Sequence, residues 1–433
     1  MSCWDLTASY IITMKLKRIF VLMACMAAIA TASVAQNGTM TPYSRFGYGI
    51  LRDQATSAQR AMGGVGYAMS SGRQVNVMNP AAYAAIDSLT FLFDMGIDLT
   101  ALWSSETVDG KRNSHKDFGG GLDYATMQFP LGKYMGMSVG LLPYSSVGYA
   151  FGSKIENGID SRQGSGSINE LYVGLSGRLF KGFSIGANIA YMFGTLLNDS
   201  YAIVNSSGQS ALFQREITVR DWHLTAGLQY GVDITQRNRI TAGLIWSPGK
   251  TLLGHANTLT YDTSTESGPE INEEVKLRDN YSIPETWGAG LAYRWNNTLD
   301  IEFDVTYQPW SKAKYLGFDT DEARTEVFAD RIKYALGLQY RPDARGSYFK
   351  RIQYRLGGYY NRDYLVVLGN NVREYGLTAG FGFPVAGFKT IVNLGLEWKH
   401  RQATPDPLLK EDYLNITIGV NFNEMWFRKS KIY

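Results

Sequence analysis

Apolar and polar residues alternate strictly along several stretches of the chain. In LDIEFDVTYQ, from Leu299 to Gln308, every odd-numbered residue is apolar and every even-numbered residue is polar. The same alternation recurs in residues 331–340, 392–399 and 414–422. Because successive side chains of a β-strand point to opposite faces, a period of two predicts strands with one apolar face.

Applied to the whole chain, this pattern predicts about fourteen strands. They start near Leu89, Gly121, Met135, Ile168, Phe183, Ile217, Arg239, Tyr281, Thr298, Arg331, Ile352, Glu374, Lys389 and Asp412. The connections alternate between tight turns (131–133, 181–182, 296–297) and long polar stretches (104–116, 200–214, 255–280, 311–330). Outer-membrane barrels have short periplasmic turns, long extracellular loops and an even strand number. A soluble β-sandwich does not predict this asymmetry. We therefore expect an all-β fold, an antiparallel transmembrane β-barrel of about fourteen strands, over residues 88–423.

The beginning of the chain has the composition of a secretory signal peptide. Lys15, Lys17 and Arg18 precede an apolar run over residues 19–32, and Ser33-Val34-Ala35 fits a small-residue cleavage site. We expect a signal peptide over residues 1–35, with translation starting at Met14. The cysteines Cys3 and Cys25 lie within it, so the expected mature chain has no disulfide and no thiolate site. A net charge of +3 on 433 residues gives no reason to expect a nucleic-acid partner.

Residues 36–87 precede the first predicted strand and are rich in glycine, alanine and methionine. A barrel of about fourteen strands encloses more space than its own side chains fill, so a compact segment is needed to close it. Met62–Gly66 contains three glycines, which permit backbone turns that other residues avoid, and Asn79-Pro80 is a turn signal. One interpretation is an ordinary disordered leader. The apolar stretch 81–86 favours an N-terminal plug, or hatch.

Several short motifs follow one another along the chain. The N-terminal pair is Arg60–Gly64 followed by Asn79–Ala81, and the later motifs are Ile283–Gly288, Leu291–Arg294 and Asp304–Tyr307. Their order resembles the FadL family of outer-membrane transporters for long-chain fatty acids and aromatic hydrocarbons. The resemblance runs from about residue 43 to residue 422. It implies a fourteen-stranded barrel with an N-terminal hatch. The candidate hatch residues are Gly63, Gly64, Asn79, Pro80 and Ala81.

Three features depart from that family's pattern. Ser70–Arg73 stands where the family often has an acidic pair, and a basic tail, residues 424–433, follows the last strand. The stretch Thr41–Gly47 is similar to a branch common in Bacteroidota. Some relatives in that branch are subunits of secretion or barrel-assembly complexes rather than transporters. The departures affect the expected substrate more than the expected fold.

Pro143 interrupts the third predicted strand. Proline cannot donate to the strand ladder, so within a closed sheet it predicts a bulge or a break. In the FadL family a kink in the third strand opens a lateral path from the lumen to the bilayer. Pro143 and Tyr144 are therefore candidate lateral-gate residues. The alternative is a bulge near the rim with no role in transport.

Charged residues are expected to face the lumen on neighbouring strands. The alternation places Asp300, Glu302 and Asp304 inside, with Arg331 and Lys333 on the next strand and Arg355 on the one after. Confined charges are costly unless they pair, so ion pairs that hold the barrel or the plug are expected. The alternative is that Lys333 or Arg355 binds the carboxylate of a ligand.

No catalytic or metal-binding motif emerges. Asp221 and His223 share the inner face of the sixth strand, but no nucleophile accompanies them, so a structural hydrogen bond is expected. The remaining histidines of the expected mature chain are scattered and have no metal-ligand spacing. We expect no enzymatic activity, no cofactor and no metal.

Two functions are compatible with these observations. The leading hypothesis is passive uptake of hydrophobic molecules, such as long-chain fatty acids, across the bacterial outer membrane, with hatch movement and lateral exit past Pro143. The alternative is a non-transporting barrel subunit of an outer-membrane secretion or barrel-assembly complex. A transporter predicts an apolar pocket above the hatch and a gap in the wall at Pro143, whereas a scaffold predicts a filled lumen and an unbroken wall.

Overall fold

The computed structural model describes most of the chain from Thr41 to Met425. The described ranges are 41–108, 110–155, 158–204, 210–253, 255–262, 270–277, 280–316, 324–325, 327–385 and 389–425. The expected signal peptide and residues 426–433 of the basic tail lie outside them.

Fourteen antiparallel strands form the wall of a closed barrel, as predicted. They are β1 (Thr90–Val108), β2 (Lys111–Pro130), β3 (Met135–Ile155), β4 (Gly158–Phe180), β5 (Phe183–Val204), β6 (Ser210–Asp233), β7 (Asn238–Ser247), β8 (Thr286–Trp295), β9 (Leu299–Gln308), β10 (Arg331–Tyr340), β11 (Gln353–Val367), β12 (Asn370–Pro384), β13 (Ile391–Thr404) and β14 (Leu409–Met425). Neighbours in sequence are neighbours in the wall, and β14 pairs with β1 to close it, from Leu409↔Glu106 to Met425↔Thr90. Because β14 pairs with β1, the sheet closes on itself and has no terminal strand.

Several strands are longer than the hydrophobic pattern predicts. β2 starts at Lys111 rather than near Gly121, and β4 starts at Gly158 rather than near Ile168. Residues 104–116, expected as a polar loop, continue the ladder of β1 and β2 up to the pair Val108↔Lys111. The added residues are polar on both faces, so alternation cannot reveal them, although their backbones still pair.

The two ends of the barrel differ in their connections. At the short-turn end the strands are joined by turns such as Lys181–Gly182, and the β10–β11 connection carries a one-turn helix, Tyr348–Arg351. At the long-loop end, the β7–β8 connection contains the strand pair His255–Asp262 and Glu270–Leu277, the first of which also pairs with β6. It also contains the two-residue strands Lys250–Thr251 and Ser282–Ile283, which pair with each other. The β9–β10 connection begins with a 3-10 turn, Trp310–Lys312. None of the helices in the described ranges is long and apolar enough to cross a membrane.

The outer surface of the barrel is apolar and the inner surface is polar. On β10 and β11, Leu336 and Leu356 point outward and are 55 % and 59 % exposed. Their inward neighbours Lys333 and Arg355 are 5 % and 2 % exposed. An apolar outer band is the surface that a bilayer requires, and the buried inner charges show that something fills the lumen.

The N-terminal segment fills the lumen. Residues 41–87, called the plug from here on, contain a 3-10 turn (Pro42–Arg45), a two-residue strand (Ile50–Leu51), one helical turn (Ser57–Arg60) and a 3-10 turn (Pro80–Ala85). Most of the plug is buried: Tyr48, Val65, Ala81 and Tyr83 are each 0 % exposed.

Candidate functional site: the plugged lumen

The first candidate hatch motif forms a tight turn of the plug. Gly63 and Gly64 have φ values of +76° and +78°, a conformation that residues with a Cβ rarely adopt. The turn follows a helical turn whose N-cap, Thr56, forms a capping box with Gln59. The backbone N–H of Gly63 donates to the Oγ1 atom of Thr378 on β12 at 2.8 Å. The turn is thus fixed to the wall by a hydrogen bond.

The second candidate motif anchors the plug on the opposite side of the lumen. The Nδ2 atom of Asn79 donates to the backbone oxygen of Tyr67 at 2.7 Å and to that of Leu228 on β6 at 3.1 Å. The Oδ1 atom of Asn79 accepts the N–H of Ala81 at 3.0 Å and caps the 3-10 turn that Pro80 begins. One asparagine therefore joins two parts of the plug to the wall.

The plug backbone lies against glycines of the wall. A Cβ atom at Gly243 on β7 would overlap the backbone oxygen of Tyr67, and one at Gly357 on β11 would overlap the backbone around Met62 and Gly63. Inward-facing Gly136, Gly186 and Gly337 meet the plug backbone in the same way, and Gly419 meets the side chain of Ser57. Contacts this close leave no room for a side chain, so the wall and the plug are shaped to each other.

Two carboxylates of β9 accept backbone N–H groups of the plug. The Oδ2 atom of Asp304 accepts from Gly66 at 2.7 Å and from Tyr67 at 3.0 Å. The Oε1 atom of Glu302 accepts from Ala68 at 2.7 Å and from Met69 at 3.0 Å. Four consecutive N–H groups of the plug thereby gain partners in the wall, which a buried backbone requires.

Lys333, another candidate lumen residue, pairs with Asp53 of the plug. Its Nζ atom contacts Asp53 Oδ2, and Arg331 approaches the other carboxylate oxygen at 3.6 Å. Burial acts to raise the pKa of Asp53, but Lys333 and Arg331 outweigh it and hold that pKa well below its usual range. The charge at position 333 is therefore used to hold the plug.

Arg355, the third candidate lumen charge, is buried without a described carboxylate within ion-pair distance. It donates to Gln339 Oε1 and to Asn393 Oδ1, both at 2.8 Å, and it also bonds the side chain of Gln353. The expectation of an ion pair is therefore wrong for Arg355. Neutral amide oxygens satisfy this guanidinium, and Gln353 in turn accepts a hydrogen bond from Gln74 of the plug.

The wall is irregular at Pro143, where the sequence predicts a bulge or a break. β2 and β3 pair only from Ala125↔Leu141 to Pro130↔Gly136 in their described parts. Beyond Leu141, β3 continues to pair with β4, with a register shift between Pro143 and Ser145. The ladder between β2 and β3 is therefore missing over the half of the wall nearer the long-loop end. We call this the β2–β3 seam.

The plug occupies the edge of β3 that the seam leaves unpaired. Ile50 and Leu51 pair with Ser146 and Ser145, and the N–H of Arg52 donates to the oxygen of Tyr144 at 2.9 Å. Farther along, the N–H of Thr41 donates to Gly148 at 2.8 Å. The start of the plug thus replaces β2 as the hydrogen-bonding partner of β3.

Ion pairs join this part of the plug to β1 and β2. Arg52 contacts Asp98 at 3.0 Å and Asp123 at 3.4 Å, and Arg60 contacts Asp123 at 2.8 Å. The side chain of Asp123 is fully buried. Sequence reasoning missed Arg52 and Asp53, because charges in a segment without periodicity have no predicted face. It also missed their wall partner Asp123 on β2. The available signal was that each plug charge has the opposite sign to the wall charge with which it pairs.

An aromatic cluster closes the long-loop end of the described structure. The Trp310 ring lies 4.5 Å from the ring of Tyr364 and 5.8 Å from those of Tyr48 and Phe328, centroid to centroid. The hydroxyl of Tyr315 donates to the backbone oxygen of Gly47 at 2.9 Å. Trp310, Tyr48 and Tyr364 are each 0 % exposed. The loops and the plug therefore share one packed core across the barrel mouth.

Between the plug and the wall lies a cavity of about 120 Å³. Charged groups, among them Asp53, Glu170 and Lys333, line it together with Leu142 and Tyr144. Ligand pockets for drug-sized molecules have volumes of about 300–1,000 Å³ and mostly apolar walls. This cavity is smaller and more polar than the pocket that the transporter hypothesis predicts.

Asp221 and His223 do not contact one another. Asp221 accepts hydrogen bonds from the Lys250 side chain and from the N–H of Leu253, at 2.5 and 2.9 Å. His223 Nδ1 lies 3.0 Å from Glu170 Oε1. Each side chain therefore ties β6 to a different part of the structure. Within the described ranges, no group of three or more His, Cys, Asp or Glu residues is placed to hold a metal ion.

Solved structures share this fold at low sequence identity. The P. putida toluene transporter TodX is 15 % identical, with 87 % of this chain and 100 % of that chain covered and a TM-score of 0.61. The Ralstonia pickettii toluene transporter TbuX is also 15 % identical, with 86 % and 98 % covered and a TM-score of 0.60. A Pseudomonas aeruginosa FadL homologue is 13 % identical, with 86 % and 99 % covered and a TM-score of 0.58. These likenesses confirm the FadL-type barrel fold.

At the level of sequence, the match is to a different family model. No curated protein matches the chain. The model of the BamG family matches residues 15–433, which include the plug and all fourteen strands. This protein therefore belongs to the BamG family.

Proposed function

We propose that this protein is a closed outer-membrane barrel that serves as a structural subunit of a larger membrane complex and does not conduct solutes. The observation that carries the proposal is the filling of the lumen. The plug is bonded to the wall through Asp304, Glu302, Thr378 and Lys333, and an aromatic cluster covers it. The sequence resemblance to a branch with complex subunits supports the same role. No catalytic activity is proposed.

The seam supports a second candidate, uptake of hydrophobic molecules. A wall that lacks a β2–β3 ladder beside Pro143 has a natural place for lateral exit, and the similar folds are those of toluene transporters and a FadL homologue. For passage, residues 41–52 must leave the edge of β3 and the aromatic cluster must open. The hydrogen bonds of Thr41 and Arg52 oppose the first of these movements.

One experiment separates the two candidates. The native protein is extracted from its own membranes in a gentle detergent, and the same sample is analysed by mass spectrometry for proteins and for lipids. A structural subunit predicts partner proteins in stoichiometric amounts and no fatty acid or hydrocarbon retained in the barrel. Retained apolar ligand without partners, lost when Pro143 and Tyr144 are replaced, would overturn the proposal in favour of uptake.

A further inference from the structure

A wide vestibule opens below the plug at the short-turn end of the barrel. Its volume is about 1140 Å³. The floor is formed by plug residues 68–74, and the rim is formed by the β6–β7, β8–β9, β10–β11 and β12–β13 connections. In outer-membrane barrels the short turns face the periplasm. The vestibule shares no lining residue with the small cavity between the plug and the wall.

The vestibule has a strong excess of positive charge. Nine basic and four acidic residues line it. Three of the acids neutralise Arg73, Arg239 and Arg294 through ion pairs. The fourth acid, Glu302, accepts the plug N–H groups. Six cations thus form no ion pair with any described carboxylate: Arg178, Arg237, Arg341, Arg345, Arg351 and Lys389.

One of these arginines, Arg351, has an unused hydrogen-bond donor, and another, Arg341, lies close to other positive charges. The Nε atom of Arg351 is buried and has no hydrogen-bond partner among the described atoms. Burial lowers the pKa of Arg341, and the positive charges of Arg73 and Arg294 act in the same direction against Asp300. A bound carboxylate would offset the crowding of positive charge around Arg341, because carboxylates accept the paired N–H groups of arginine.

We propose that the vestibule is a docking site for an acidic polypeptide segment of a partner protein. This inference rests on the proposed function, and it names the chemistry of one partner. The six cations come from three connections of the rim and, in the case of Arg178, from the end of β4. An extended acidic segment can therefore contact more of them than a single small anion can. The cations also line the inside of the mouth, below the plug. A lipid headgroup held in the bilayer plane does not reach them without leaving the membrane.

The probe is a fluorescent oligoglutamate peptide, titrated against the full-length protein in detergent. We expect saturable binding that weakens as salt rises. The double variant Arg341→Gln/Arg345→Gln should bind at least about tenfold more weakly, since two charge-assisted contacts are lost. The matched control is Lys111→Gln/Arg112→Gln, which removes the same charge from exposed positions at the opposite end of the barrel.

Each alternative result overturns the inference. Absence of saturable binding, or equal affinity for the two double variants, would exclude an acidic peptide at this site. Displacement of the peptide by phosphatidylglycerol vesicles of equal total charge would assign the site to a lipid headgroup. A membrane pull-down distinguishes this failure from failure of the proposed function. If the wild type and the Arg341→Gln/Arg345→Gln variant recover the same partners equally, the docking site is wrong and the structural subunit stands.

Discussion

The Oδ2 atom of Asp304 on β9 lies 2.7 Å from the backbone nitrogen of Gly66 in the plug. The same oxygen accepts the N–H of Tyr67. A carboxylate that serves two consecutive N–H groups fixes both the position and the orientation of a turn. At this turn the plug is thus bound to the wall through its own backbone.

Replacement of Asp304 by alanine should loosen the plug. Two buried N–H groups lose their acceptor, at a cost of about 1–3 kcal/mol each. We expect trypsin to cleave after Arg60 and Arg73 at least about tenfold faster in Asp304→Ala than in the wild type, because about 1.4 kcal/mol corresponds to a factor of ten. Asp233→Ala is the control, since Asp233 pairs with Arg239 and neither residue forms a described bond to the plug. Equal protection of the two variants would contradict the role given to Asp304.

Because the plug lies close to the wall, an added methyl group should destabilise the protein at wall glycines that contact the plug and not at glycines that face open space. Gly243→Ala places a Cβ against the Tyr67 carbonyl, and overpacking of this kind costs about 1–3 kcal/mol. Gly121→Ala on β2 has no atom within 4 Å of the new Cβ. The measurement is the temperature at which the folded form is lost on semi-native gels. We expect a lower temperature for Gly243→Ala and no change for Gly121→Ala. An equal decrease in both variants would show that the contact between Gly243 and the plug is not what makes alanine unfavourable.

The sequence predicts the barrel well because a bilayer imposes one rule on each strand: side chains that face lipid are apolar, and they alternate with polar side chains that face the lumen. Alternation located β3, β5 and β10 at their observed first residues, Met135, Phe183 and Arg331. The same rule fails toward the long-loop end, where the residues of β2 and β4 are mostly polar on both faces. There the pattern gives no signal, although the strands continue.

The interior of the barrel was predicted only in part. Alternation placed Asp304 and Lys333 on the inner face, but their partners Gly66 and Asp53 lie in a segment without a period. The aromatic cluster around Trp310 could not be predicted, because it joins residues from the plug, a long loop and the end of β11. Such contacts depend on the closure of the whole barrel.

The ion pairs of Asp53 should be lost only under strongly acidic conditions. The pKa of Asp53 is depressed in the folded state, so its ion pairs contribute their full stability above the unfolded pKa of about 3.9. That contribution is lost as the pH falls through the lower folded value. We expect the stability difference between the wild type and Asp53→Asn to be constant from pH 7 to about pH 5 and to shrink below about pH 4.

The measurement for Asp53 is protease protection of the plug as a function of pH. Asp87→Asn is the control, because the side chain of Asp87 is about half exposed and its pair with Arg73 contributes little. A difference that vanishes already near pH 6 would show that Lys333 and Arg331 do not hold the Asp53 carboxylate in its charged form.

The aromatic cluster should act as a seal. Trp310→Ala removes the largest fully buried side chain, with an expected cost of about 3–5 kcal/mol to local packing. We expect a higher ion leak in planar bilayers for this variant than for the wild type. Trp222→Ala, in which a 59 % exposed tryptophan of the outer surface is removed, should leave the leak unchanged. An unchanged leak in Trp310→Ala would place the barrier elsewhere.

The central claim, that the plug stays in place while the protein functions, is tested most directly by locking it. A Cβ at Gly395 on β13 would lie 3.6 Å from the Cβ of Ala61, within the range of about 3.5–4.5 Å that a disulfide needs. Both native cysteines lie in the expected signal peptide, so Ala61→Cys/Gly395→Cys supplies the two thiols. We predict that the oxidised and reduced forms conduct equally little and recover the same partner proteins from membranes. Uptake of hydrophobic molecules that appears only after reduction would contradict this account and show that the plug is a moving hatch.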